Sequence, residues 1–431
     1  MPTPRANDSC QIERLRSGMT VALRPMPQAA SAAVGIWLRA GGRYEAPPHA
    51  GVSHFLEHLL FKGTRSRSCE QLKRAIEGVG GSLNGFTAEE FTCYMAKVPA
   101  AYARRAIAVL SDMVFHPSLS ARDMEKEREV ILEEIRMYDD APGQAVHDLF
   151  NQLLWPNHPL GNLLSGTIET VKRLRRSDVV AYWKRMYHPR HVVVSCAGAF
   201  EPGRVLEQLR GVIGRRAGGA PQRFLRAPRL KRGPQVRLLK KTTEQTHLCL
   251  GVPAIPRTHP QRFALEVLHV ILGGNMSSRL FYEVREKRGL AYEIGSTIKR
   301  YHDTGAFVVY AGCDAPKLPS TIRTIIAELH RMKRELVRPA ELQRAKEFYR
   351  GQLLMGLEDT GEHMLWIGEH VMTVGRVSSA HDVVQAIDRV TPQQIRETAR
   401  RLFEAARTYV AVMGQIDERE AGALRALCGA L

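Results

Sequence analysis

Gly51-Val-Ser-His-Phe-Leu-Glu-His-Leu-Leu-Phe-Lys-Gly-Thr64 is the stretch on which the reading of this chain turns. On a helix, residues three and four apart share a face, so His54, Glu57 and His58 converge while Val52, Phe55, Leu56, Leu59 and Leu60 cover the remaining directions. A helix that is apolar nearly all round is a buried one. A lone buried histidine is more often a satisfied core residue than a ligand, but two imidazoles and a carboxylate on one buried face need partners. Two imidazoles one turn apart are a natural pair of Zn²⁺ ligands, and a carboxylate between them can take a proton from water on the metal.

Composition sets the outer bounds. A chain of 431 residues has room for two or more domains, and 44% hydrophobic with 25% charged residues is the balance of a globular protein. No run approaches the roughly eighteen apolar residues of a membrane span. The first nine residues lack the apolar core of a secretory signal. The expectation is a cytoplasmic protein with no membrane partner. The seven cysteines are scattered and never form a Cys-x-x-Cys pair, the usage of a reducing compartment with no disulfide framework and no cysteine zinc site. The formal charge of +18 would suit an anionic partner. Its densest part, residues 215–241, is rich in Gly, Pro and Ala and reads as a solvated linker rather than a groove lined with stacking aromatics. Nucleic acid is therefore not an expected partner.

Working outward from the motif, residues 12–27 read as a β-hairpin and residues 33–39 as a further strand. Residues 69–78 read as a helix. Residues 80–97 return as a bent strand or strand pair whose glycines suit either an edge that accepts a peptide or a plain bulge. Residues 123–138 have strong helical character: Met124, Val130, Ile131, Ile135 and Tyr138 form one stripe, with Glu125, Lys126, Glu129, Glu133 and Arg136 opposite. Glu127 and Glu134 fall on the apolar stripe and so need a partner. A metal shared with His54 and His58 would supply one, which makes either glutamate a candidate third ligand.

Residues 170–186 read as a helix, followed by a buried strand that ends at Gly198. An offset of 216 positions lays residues 187–198 on residues 403–414, with matching strand character and a matching terminal glycine. This points to a tandem repeat of one α+β unit, each a mostly antiparallel sheet packed with helices. The expected organisation is a zinc-binding domain over residues 1–213, a Gly/Pro/Arg-rich linker over 214–234, and a second, inactive homologous domain over 235–431. The helix expected at residues 262–272 carries no His-x-x-Glu-His, so Glu266 and His269 read as structural. His363 and His370, seven apart without an acidic partner, read as core or surface residues. Residues 277–292 read as an amphipathic charged helix, a stop at Gly289 and a strand.

Taken together, three motifs resemble the pitrilysin-like metallopeptidases, whose signature inverts the His-Glu-x-x-His zinc motif. They are His54-x-x-Glu57-His58, then Gly81-x-Leu-Asn84-x-x-Thr87-x-x-Glu90-x-x-x-Tyr94, then Glu125-x-Glu-Arg-x-Val-Ile-Leu-x-Glu134. The resemblance covers essentially the whole chain and is nearest to the branch holding the β-subunit of the mitochondrial processing peptidase and its bacterial homologues. It implies one Zn²⁺ per chain held by His54, His58 and Glu134, with Glu57 as general base and Glu127 as a supporting acidic residue. It also implies an Arg-x6-Tyr element, Arg285 and Tyr292, that binds peptide carbonyls, with Tyr292 steadying the oxyanion. Asn84 would lie near a peptide added to the edge at residues 82–86. The implied function is that of a zinc-dependent metalloendopeptidase on peptides or unfolded polypeptide segments, the alternative being a non-catalytic subunit of a processing-peptidase-like assembly. A homodimer with sites completed in trans is expected, or a mixed dimer with a related subunit. The +18 charge argues against a preference for basic targeting presequences.

Overall fold

Eleven strands, interleaved with fifteen α-helices, make up the fold in a computed structural model that describes residues 10–212 and 223–429. In the first half the order is β1 (Gln11–Arg14), β2 (Thr20–Pro25), β3 (Ser31–Leu38), α1 (Val52–Leu60), α2 (Cys69–Glu77), β4 (Ser82–Thr87), β5 (Thr92–Pro99), α3 (Ala103–Phe115), α4 (Ala121–Asp139), α5 (Pro142–Leu154), α6 (Ile168–Arg173), α7 (Arg176–Met186), β6 (Val192–Gly198) and α8 (Pro202–Val212). The second half follows with β7 (Gln235–Lys240), β8 (Thr246–Ala254), α9 (Arg262–Leu272), β9 (Ala291–Arg300), β10 (Gly305–Cys313), α10 (Leu318–Arg334), α11 (Pro339–Gly356), α12 (Thr360–Val374), α13 (Ala380–Asp388), α14 (Pro392–Leu402), β11 (Tyr409–Gly414) and α15 (Ala421–Gly429).

The two sheets carry the repeat. Their strand orders are β1-β2-β6-β3-β5-β4 and β7-β11-β8-β10-β9, which become the same order once β1 is set aside. Each contains one parallel pair, β2 with β6 and β7 with β11, and is otherwise antiparallel. The matching glycines end β6 and β11 at φ 124° and 154°, where a Cβ would lie 2.3 Å from the Ser31 carbonyl oxygen and 2.6 Å from Thr246 Oγ1. Only glycine fits either position without strain.

The chain divides into two units that differ from the expected linear boundaries. Unit 1 comprises residues Met1–Ile135, Leu163–Leu225 and Leu353–His381; unit 2 comprises Arg136–Asn162, Arg226–Gln352 and Asp382–Leu431. Of the expected linker, residues 214–222 lie outside the described residues. The crossing has a packing cause. In unit 1, one face of the sheet is covered by α1, α2, α3, α4, α7 and α8, and its other face, with Ala33, Trp37, Cys93 and Val193, is covered by Met364, Ile367 and Val371 of α12. In unit 2, Cys249, Val308, Ala411 and Met413 are covered by Val146, Leu149, Phe150 and Leu154 of α5. Each half thus contributes one amphipathic helix to the other half's sheet.

Three further expectations shift. The helix expected over residues 170–186 is two helices, because the Arg128 guanidinium donates to the carbonyl oxygens of Val171 and, at 2.9 Å, Leu174, and so takes up the open end of α6. The buried stripe of α4 is Met124, Glu127, Arg128, Ile131, Leu132 and Ile135, whereas Val130 and Tyr138 are exposed. Arg128 displaces the stripe, since its bonds to those carbonyls and its position 5.5 Å over the Phe55 ring bring it inward. The charged helix after Ser277 is wound as a π-helix over Phe281–Glu286 and stops at Gly289, φ 56°. Among the described residues, no helix is long and apolar enough to cross a membrane.

The α12 contact gives a stability prediction. An alanine Cβ at Gly368 would meet Trp37 Nε1 at 2.1 Å and Ser195 Oγ at 2.6 Å, and Trp37 is fully buried and bonded to that hydroxyl at 2.8 Å. The helix-propensity gain of about 0.5–1 kcal/mol for Gly→Ala is smaller than an overpacking cost of about 1–3 kcal/mol. Gly368→Ala should therefore lower the denaturant midpoint of unfolding.

Candidate metal centre

The nine residues of α1 are almost wholly inside: Val52, Ser53, Phe55, Leu56, Leu59 and Leu60 are buried, which leaves His54, Glu57 and His58 to share the remaining face. That face meets α4. His58 Nε2 lies 3.5 Å and His54 Nε2 3.8 Å from the same oxygen of Glu134, Oε2. Among the described residues these three side chains are the one group of His, Cys, Asp and Glu able to hold a metal, with ligand atoms all within 4.8 Å of one another. Tetrahedral coordination at about 2.0–2.1 Å places neighbouring ligand atoms about 3.3 Å apart, near the two Nε2–Oε2 separations, so the donor set fits one zinc ion. Two histidines and one carboxylate also form a donor set that leaves a fourth position open. Glu134, with 30% of its side chain exposed, lies on the solvent side of the cluster.

Partners behind this set orient it. A carboxylate can only accept, so the 3.2 Å contact between His58 Nδ1 and Glu127 Oε2 is donated by Nδ1–H, which leaves the Nε2 lone pair free for a metal. The other oxygen of Glu127 pairs with Lys62 Nζ at 2.6 Å. Glu127, with 6% of its side chain exposed, is thus held from both sides, by a hydrogen bond and by an ion pair. His54 differs: its Nδ1 is buried with no hydrogen-bond partner. Burial, and then the neighbouring His58, push the His54 imidazole down to about 4, so it is neutral at physiological pH, the state a metal ligand requires. Glu57 is not among the three ligands. Its Oε2 accepts a hydrogen bond from Thr87 Oγ1 at 2.6 Å, and burial raises its pKa against that bond.

The structure therefore brings His54, His58, Glu57, Glu127 and Glu134 together within unit 1 and assigns the two inward glutamates of α4 to different places: Glu134 faces the imidazole Nε2 atoms and Glu127 lies behind His58. Asn84 lies on β4, the edge strand of the six-stranded sheet, with its side-chain oxygen accepting from the Gly85 amide at 2.8 Å. Arg285 and Tyr292 belong to unit 2. There the guanidinium sits 5.1 Å over the Tyr292 ring and 4.9 Å over Phe281, with Tyr292 73% exposed. Glu266 is bound by Arg300 and His269 by Ser296 Oγ at 2.8 Å, the ordinary structural partners expected of them. His363 and His370 each direct Nδ1 to a main-chain carbonyl, of Leu357 and Trp366. Lys62 was not anticipated; its one signal is a lone charge in an apolar run.

Residues 20–168 match the family described as Insulinase (Peptidase family M16), and residues 173–349 match the one described as Peptidase M16 inactive domain. The chain belongs to the M16 peptidase family. An uncharacterized zinc protease of Streptomyces coelicolor is 38% identical over 417 residues, covering 95% of this chain and 90% of the relative. An uncharacterized zinc protease of Bacillus subtilis is 36% identical over 388 residues, covering 90% and 94%. In fold, the chain matches a protease from Helicobacter pylori with a TM-score of 0.89 at 20% identity, covering 94% of this chain and 99% of that one. A chain of complex III2 from Candida albicans matches at 0.85, with 18% identity and coverage of 97% and 99%. This M16 chain thus joins a two-sheet α+β fold to a set of bacterial relatives named as zinc proteases.

The outer partner of His58 is testable through metal affinity. Glu127→Gln leaves an amide beside Lys62 and removes the acceptor charge behind His58, and such changes cost about 10–100-fold in metal affinity. Competition against a chromophoric chelator should show the zinc Kd rising by that factor.

Proposed function

We propose that this protein is a zinc-dependent metalloendopeptidase that hydrolyses peptides or unfolded polypeptide segments, with one zinc per chain held by His54, His58 and Glu134. The reading is carried by one observation: three ligand atoms converge within 4.8 Å while the carboxyl of Glu57, on the same helix, stays outside the ligand set. Zinc bound there supplies a Lewis acid for the scissile carbonyl and for water. Glu57 takes a proton from the attacking water at Oε1, the oxygen that Thr87 does not occupy, and passes it to the leaving amine. Its raised pKa suits a group that must hold a proton between those two steps. Glu127 keeps His58 in one tautomer throughout.

The substrate is proposed to add as an extended strand to the free edge of β4, past Asn84. Tyr292 and Arg285 would hold its carbonyls and steady the oxyanion, a role supported by the exposure of the phenol and by the guanidinium stacked on its ring. Because one chain carries both the histidine motif and the Arg-Tyr element, the proposed assembly is a homodimer with each site completed in trans.

Glu57→Gln should keep the zinc content of the wild type, measured by elemental analysis, while hydrolysis of a quenched fluorescent peptide falls by about 10²–10⁴-fold. Wild-type protein that stays inert after zinc is added back would instead make the chain a non-catalytic family member. Trans completion has its own readout: co-expressing Glu57→Gln with Tyr292→Phe should recover part of the activity that each variant lacks alone, and no recovery sinks the trans arrangement.

A further inference from the structure

We infer that Glu45 is a positioning residue for the metal centre: its buried carboxylate caps α1 from outside the helix and fixes where His54 and Glu57 stand. The N-terminus of α1 has no cap of its own. The residue at the N-cap is Gly51, with φ 93° and no side-chain oxygen, and none of the first-turn residues is acidic. A Cβ at Gly51 would lie 2.5 Å from the Ser165 carbonyl oxygen, so no serine or aspartate can replace it there. The first amides of α1 would be left open in the protein interior, where such donors require partners.

Glu45 fills the gap. It follows the short 3-10 turn Gly42–Tyr44 and is fully enclosed. One of its oxygens accepts the Gly51 amide at 2.7 Å and the other accepts the Ser53 amide at 2.8 Å. A carboxylate that accepts two amides of the first turn, two residues apart, fixes both the axial position and the rotation of a short helix, and its charge lies at the positive end of the helix dipole. Ser53 is also held from the side, through its hydroxyl to Tyr182 on α7 at 2.7 Å. The next residue is His54. A slide or twist of α1 would carry His54, Glu57 and His58 together away from Glu134, which belongs to another helix. Burial disfavours the charged form of Glu45, and the two amides it accepts offset that cost, a role that an apolar side chain could not fill.

The inference rests on the zinc reading above, and zinc affinity tests it without reference to catalysis. Glu45→Gln keeps the volume but turns a carboxamide NH2, itself a donor, toward one of the two amide donors, and Glu45→Asp keeps the charge but shortens the reach. The control is Gly368→Ala, which destabilises the other face of the same sheet. Zinc Kd by chelator competition and the melting temperature of the metal-free protein are measured for all four proteins. The expected result is a Kd raised about tenfold or more in Glu45→Gln, the range seen when groups behind a metal ligand are removed. Glu45→Asp, the variant more certain to fold, should shift in the same direction, while Gly368→Ala keeps the wild-type Kd whatever its loss of melting temperature. A wild-type Kd in a folded Glu45 variant, or a shift in Gly368→Ala equal to theirs, overturns the assignment and leaves the zinc reading standing. Wild-type protein that takes up no zinc overturns the zinc reading itself, and the assignment with it.

Discussion

The contact between α1 and α4 is the constraint around which unit 1 is built. It places two imidazoles and three carboxylates against a core built mainly of aliphatic and aromatic side chains. An uncompensated buried charge costs several kcal/mol, more than a single apolar contact returns. The structure meets that cost with specific partners. Glu127 is bracketed by Lys62 and His58, Glu57 is held by Thr87, and Glu134 sits at the wetter rim. What stays unmet is the mutual demand of the Nε2 atoms of His54 and His58 and the carboxylate of Glu134, which a zinc ion would satisfy. A protein that is locally consistent elsewhere and inconsistent at one cluster is most simply read as shaped for a ligand at that cluster.

The duplicated sheet shows what the same scaffold looks like when it is not so shaped. Unit 2 repeats the strand order of unit 1, and its α9 occupies a similar place in the chain between strands. Yet the polar groups of α9 close on neighbours: Glu266 on Arg300, and His269 on Ser296. No group on that helix is left asking for a metal. Fold and site are therefore separable in this one chain: the strand order is shared, and the His-Glu-His cluster belongs to one half alone among the described residues.

Much of this was legible in the sequence, because burial imposes a period. The all-round apolar character of residues 52–60 read correctly as a buried helix, and the paired glycines of β6 and β11 carried the repeat. The inward position of Glu127 followed from helical spacing, while its role as partner rather than ligand needed the family resemblance. The exchange of α5 and α12 was not legible. An amphipathic helix records that it has an apolar face, not which sheet will cover it, and Gly251, where a Cβ would come within 2.6 Å of the Phe150 ring, acquires meaning only once that helix is in place. The α4 stripe was misread at Val130 and Tyr138 because Arg128, a charge by composition, is drawn inward by two carbonyls some forty positions away.

Lys62 and Glu45 escaped for the same reason, and their placement explains how so short a helix can serve as a metal scaffold. Nine residues leave α1 with few internal hydrogen bonds, and isolated helices of fewer than about twelve residues are marginal in water. The accuracy needed to bring two histidines onto one carboxylate therefore comes from outside the helix. At its N-terminus stands a buried anion that accepts two amides, and just beyond its C-terminus stands a cation that pairs with Glu127. Both charges oppose the helix dipole in the stabilising sense, so α1 is held axially by groups that α1 itself does not contain. Lateral packing then sets the distance to α4, and the Lys62–Glu127 pair, which joins the end of α1 to α4, links where the histidines stand along the helix to how closely Glu134 approaches them.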